Sequence, residues 1–382
     1  MKNNTLCVCA LSAALTLGML AGPAPALEVA APAGNKPLVQ LAILLDTSGS
    51  MDGLINQART QLWKVVNELL ASRKGGLRPE LQVAVYEYGN QGLSAQSGYL
   101  RMVSPLTSDL DRVSEALFAL TTNGGDEFCG QVIAAATEQL AWSPAPGDLK
   151  LIYIAGNEPF TQGPVDFRAA VKAAIGRGIA VNTIHCGSYQ EGASTGWKDG
   201  ALLADGAYMA IDQNRAAPQI AAPQDAEITR LGQELNRTYV AYGSSGGEAK
   251  ARQKKQDQNA AQAAPAAAAE RAVFKSSAGY RAGGWDLVDA DRDGAVKVEE
   301  MADDALPAEM RGLKPAERKA YLAGQEKKRA ELQGRIQRLA EERKQFIAQK
   351  EREAAKGGAD TLDGAMLRSV REQAQKKAFQ FE

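Results

Sequence analysis

One turn, Asp46-Thr47-Ser48-Gly49-Ser50, holds a carboxylate and two hydroxyls. Three hard oxygens on one side of a turn suit Mg²⁺, Mn²⁺ or Ca²⁺. The same residue types also build plain turns and helix caps. The chain contains a single histidine, His185, which removes most zinc sites and any mechanism that needs two imidazoles. Ser48 or Ser50 with His185 would make a serine hydrolase, the alternative reading of this turn. It lacks a G-x-S-x-G elbow, and a lone histidine ending a buried strand is usually a satisfied core residue. Neither a G-x-x-x-x-G-K-[ST] loop nor a G-x-G-x-x-G after the first strand is present, so nucleotide use has no motif.

What positions the turn is a strand before it and a helix after it. LVQLAILL (38–45) is an apolar run of strand length, suited to a central parallel strand buried on both faces. Behind the turn, Leu54, Ala58, Leu62, Val65, Val66, Leu69 and Leu70 recur at helical spacing. Strand-like runs return at 81–89, 98–106, 149–156, 178–187 and 207–211, mostly with helical segments between them. Six strands and interleaved helices predict an α/β, doubly wound, mostly parallel sheet. Such sheets bind ligands at the carboxyl ends of their strands, here the loops after Leu45, Ala155 and His185.

Asp46-x-Ser48-x-Ser50 after LAILL and before an amphipathic helix resembles the von Willebrand factor A (VWA) family, from about Leu38 to Gly243. The resemblance implies a Rossmann-like domain with a metal-ion-dependent adhesion site (MIDAS). Both serines and the aspartate would be ligands, completed by a threonine and an aspartate from two further loops. Here Gly124-Gly125-Asp126 stands where the family often has Gly-Gly-Thr, and Ala155-Gly156-Asn157-Glu158 where the fourth strand usually ends in aspartate. The resemblance therefore implies an incomplete site in which Asp126 or Glu127 replaces a ligand, with Mg²⁺ or Mn²⁺ as the cation. It also implies a non-catalytic protein that binds a protein or peptide through the rim of 46–50, 124–130 and 157–160. Under it Cys129 and Cys186 both lie near that rim, where a disulfide would pin the loops of an exported protein.

DADRDGAVKVEE (289–300) resembles an EF-hand loop over twelve residues. Asp289, Asp291 and Asp293 stand at positions one, three and five, Gly294 at six and Glu300 at twelve, a set that would take Ca²⁺. Lys297 at position nine, Gly283-Gly284 before the loop and Pro307 after it oppose that reading, which leaves an Asp-Gly turn between short helices.

Residues 1–26 read as a signal peptide with Ala24-Pro25-Ala26 as its cleavage site, predicting a periplasmic or secreted product. Residues 244–272, rich in Gly, Ala, Gln and Lys, read as a polar linker or a partly helical polar spacer, and 273–382 as a helical region. The long helix expected at 315–356 is basic: residues 311–356 carry 14 Lys and Arg against 7 Glu. Leu332, Ile336, Leu339 and Phe346 follow coiled-coil-like steps that Arg343 interrupts, giving a thin seam for self-association or scaffolding. With 44 Lys and Arg against 45 Asp and Glu overall, bulk charge gives no reason to expect nucleic-acid binding. No stretch is apolar for long enough to span a membrane.

Overall fold

Alternation along the strands decides which residues share a face. In β1 (Leu38–Asp46), Val39, Leu41 and Leu45 enter one apolar cluster while Ala42 and Leu44 enter another on the opposite face. The computed structural model describes residues 36–212, 220–354 and 362–381. The expected leader therefore lies outside the described residues.

After β1 come α1 (Asp52–Ala71), β2 (Ser72–Arg73), β3 (Glu80–Tyr88), β4 (Leu100–Thr107), α2 (Leu110–Ala119) and α3 (Cys129–Gln139). They are followed by β5 (Leu149–Gly156), α4 (Phe167–Gly176), β6 (Ile179–Cys186), α5 (Tyr189–Ser194), α6 (Trp197–Leu202) and β7 (Tyr208–Ile211). The main sheet has six strands in the order β4-β3-β1-β5-β6-β7, with only β4 antiparallel. This is the doubly wound sheet that the sequence predicts. One face is covered by α1 and α2, the other by α3, α4 and α6.

The rest of the chain departs from the sequence reading. Residues expected to form a linker or a partly helical spacer are helical nearly throughout and packed, as α8 (Gly246–Ala263) and α9 (Pro265–Ser276), following α7 (Asp225–Asn236). Ala is cheap to bury and favours helix, so an Ala-rich stretch lets helices approach closely. Ala269 and Ala272 pack with Ile228, Leu231 and Leu235 of α7, and the Phe274 ring stacks on Trp63 of α1 at 5.0 Å. Beyond α10 (Leu287–Arg292), the 40-residue α11 (Pro315–Ala354) lies along α7 and α9.

The thin seam of α11 faces this chain's own helices. Leu332 and Ile336 join the cluster of α7 and α9, and Arg329 and the interrupting Arg343 are buried in ion pairs. Arg329 binds Asp286 (2.7 Å) and Asp289 (2.8 Å) over the Tyr239 ring, and Arg343 binds Asp225 (2.5 Å) and Glu270. A side chain read as a fault in a coiled coil is thus a buried intrachain contact.

The chain then returns to the first sheet. Met366, Val370 and Ala374 of α12 (Leu362–Lys376) and Phe379 behind it enter the cluster of β1, α1 and α2. Ser369 bridges Tyr153 (3.0 Å) and Asn182 (2.9 Å), and β8 (Gln380–Phe381) pairs antiparallel with β2. Among the described residues no helix is long and apolar enough to cross a membrane.

Candidate functional site

The first strand ends at Asp46, level with Tyr88 of β3. There the Thr47 N–H donates to the Tyr88 carbonyl (2.8 Å) and the Ser48 N–H to Asp46 Oδ1 (2.7 Å), turning the chain sharply towards α1. A second loop is tied to this turn: the Asn123 N–H donates to the Thr47 carbonyl (2.9 Å), and the Gln91 N–H to the Gly124 carbonyl (2.9 Å). Asp46 and Ser48 are buried, whereas Ser50 is exposed.

Sequence reasoning placed Asp126 in the site. The structure turns Asp126 to solvent and buries Glu127, whose N–H donates to Gln162 Oε1 (2.6 Å). Neighbouring residues in an extended loop point opposite ways, and the bonds to Thr47, Gln91 and Gln162 set which one faces in. Two glycines leave room for the acids. At Gly89, with φ +79°, a Cβ would lie 2.8 Å from both Asp46 Oδ1 and Glu127 Cγ. At Gly156 it would lie 3.1 Å from Asp46 Oδ2.

The Asp46 and Glu127 carboxyls face one another beside Ser48, within hydrogen-bonding reach when a proton lies between them. Burial raises Asp46 to about 6. Burial and then the charge of Asp46 raise Glu127 to about 9. Asp46 Oδ2, Ser48 Oγ and Glu127 Oε2 are buried and take no hydrogen bond from any group outside this trio. Glu158, from the loop after β5, adds negative potential to both carboxyls.

A pH prediction follows. In the unfolded chain both acids titrate near pH 4, so between that pH and about 9 the folded state holds more protons. Stability should therefore fall as pH rises across this window in the cation-free protein. Glu127→Gln should flatten the slope, as read by urea midpoints at pH 5, 7 and 9. An unchanged slope would place the acids in water.

The hydroxyl turn together with Glu127 fits a hard divalent cation: the buried atoms that meet there are oxygens, from two carboxyls and a hydroxyl. Among the described residues no group of three or more His, Cys, Asp or Glu could hold a metal, so any cation here would need the serine hydroxyl.

The other candidate residues go elsewhere. His185 is buried, its Nε2 3.2 Å from the Asn157 carbonyl and its ring edge-on to Trp197. Burial lowers its pKa. It is held against the loop after β5.

Cys129 and Cys186 are free thiols, correcting the expected disulfide. Cys129 starts α3 and packs into the cluster on one face of the sheet, beside the Tyr88 hydroxyl at 3.8 Å. The alternation of β6 sends Cys186 into the cluster on the other face. Both lie near the rim, as expected, with the sheet between them.

The EF-hand-like residues do not converge either. Residues 287–292 are helical, and Asp289 is committed to Arg329 and to the Ala282 N–H (3.1 Å). Asp291 accepts from the Val298 N–H (3.1 Å), Asp293 pairs with Arg292 and Glu300 with Lys297. The short helix turns consecutive acids away from a common centre.

Residues 40–195 match the family model of the von Willebrand factor type A domain. Similar solved structures include the conserved hypothetical protein BatB from Bacteroides thetaiotaomicron: 18% identity, 46% of this chain, 90% of that one, TM-score 0.35. The SpRpn10 VWA domain is 17% identical over 48% of this chain and 91% of its own, with a TM-score of 0.35. The proximal thread matrix protein 1 of the mussel byssus, solved with a zinc-occupied MIDAS motif, is 12% identical. That match covers 47% of this chain and 43% of that one, with a TM-score of 0.36. No curated protein matches the chain.

Proposed function

From the premise that residues 40–195 form a von Willebrand factor type A domain, we propose that this chain is a non-catalytic, exported protein that binds an acidic segment of a protein or peptide partner at the loop rim. The observation that carries this reading is the set of buried oxygens on Asp46, Ser48 and Glu127 at the carboxyl end of β1, which no group outside the trio bonds.

Asp46, Ser48 and Glu127 would hold a divalent cation, with Ser50 on the same turn. The bound ion would supply positive charge and an open coordination position for a partner carboxylate. Asp46 and Glu127 would give up their shared proton in the process, so affinity should fall at low pH. Glu158 would repel an acidic partner in the absence of the ion, making partner binding conditional on it. Gln162 and the hydrogen bonds from Asn123 and Gln91 hold the rim in place before the partner arrives, which lowers the ordering cost of binding.

In the test, Mg²⁺ or Mn²⁺ should raise the melting temperature of the full chain by mass action, by an amount that grows with cation concentration. Asp46→Ala with Ser48→Ala should abolish the shift. An equal shift in the variant would place the cation elsewhere. Export rests on the leader at residues 1–26; a mature amino terminus at Leu27 would support it, and an intact Met1 would refute it.

A further inference from the structure

We propose that the cleft bounded by α7, α8 and α9 binds a small organic anion, one bearing a carboxylate or phosphate together with hydroxyls. The cleft encloses about 690 Å³, within the range of ordinary small-molecule sites. It lies on the helical layer and is separate from the rim of the sheet.

Its floor is charged but already balanced. Asp257 is the only carboxylate in the lining, and it is held by Arg271 Nε (3.0 Å), Asn236 Nδ2 (2.7 Å) and Lys275. Arg271 also pairs with Asp111. Two cations and two carboxylates leave the buried network neutral, yet the Arg271 Nη2 atom is buried with no hydrogen-bond acceptor. Arg271 is 1% exposed and its guanidinium lies over the Trp63 ring (4.5 Å), so this floor is structural and a ligand would meet the groups above it.

Above the floor the charge is unbalanced. Arg237 and Lys254 are exposed cations in the lining that make no ion pair or hydrogen bond among the described residues, and the Gln233 and Gln258 amides are likewise unengaged. Lys250 adds a third cation, tethered to the Tyr239 carbonyl (2.6 Å). The nearby acids on the same helices are occupied: Glu234 by Arg230 (2.5 Å) and Glu248 by Arg252 (3.3 Å). A positive rim over a neutral polar floor selects an anion, because cations concentrate opposite charge while an apolar ligand would gain little from amide and ammonium walls. Amides that donate and accept match hydroxyls, which do the same.

The test is calorimetric titration of the full chain with glucose 6-phosphate, gluconate and uncharged glucose. The expected result is a saturable one-to-one isotherm for at least one of the two anions and none for glucose. Arg237→Ala with Lys254→Ala should weaken binding by about tenfold or more without changing the melting temperature, and added salt should weaken it further. Lys254→Glu alone, on an exposed position, gives the same readout should the double variant fold poorly. Lack of saturation by both anions, or isotherms identical in wild type and variants, would overturn the proposal.

Discussion

Deletion of residues 362–382 should leave a chain without a cooperative thermal transition. The segment supplies Met366, Val370, Ala374 and Phe379 to the core that β1, α1 and α2 build. It also supplies the Ser369 hydroxyl that bridges two adjacent strands through Tyr153 and Asn182. Burying three large apolar side chains contributes roughly 5–9 kcal/mol, comparable to the whole net stability of an ordinary domain. A milder version is Phe379→Ala, for which a loss of about 3–5 kcal/mol is expected. Circular dichroism melts of both proteins decide the matter. A truncated chain that melts within a few degrees of the full one would show that the sheet closes without α12. The prediction also means that residues 37–243 cannot be isolated as a stable unit, although the family match ends near residue 195.

Arg271→Ala should be the most damaging single polar substitution, at about 3–5 kcal/mol. The guanidinium lies over the Trp63 ring (4.5 Å) and joins Asp111 of α2 to Asp257 of α8. Its removal leaves the buried Asp111 without its cation, takes one of two cations from the partly exposed Asp257, and takes a flat cation off an aromatic face. Lys275 still serves Asp257, so Asp111 carries most of the loss. Tyr280 donates to Asp111 at 2.8 Å, and one neutral donor does not replace a cation. Asp111→Asn in the same chain should recover part of the stability, because the stranded charge is then gone. Urea unfolding of the two variants measures this. A loss below about 1 kcal/mol would mean that solvent reaches the network and screens it.

Much of the site was legible in sequence because it is local. A carboxylate and hydroxyls spaced within five residues, between an apolar run and an amphipathic helix, lie at a strand end whatever else the chain does. The order of strands and helices likewise follows from period-two and period-3.6 patterns. Glu127 was visible only as one of two adjacent acids, since spacing does not say which side chain turns inward. The calcium-like loop failed for the same reason: twelve residues carry the spacing, but Arg329, forty positions away, claims Asp289.

The strand and helix segments, the hydroxyl turn and the basic composition of α11 are set by neighbours along the chain. Long-range packing brings Glu127 and not Asp126 to Asp46, and sets Cys129 and Cys186 on opposite faces of one sheet. It alone made an Ala-rich spacer into packed helices and returned α12 to the first core. The physical reason is range. Periodicity and turn chemistry act within a few residues, whereas the partner of a buried charge, and the face that a helix covers, are chosen by contacts from 40 to 118 positions apart and beyond.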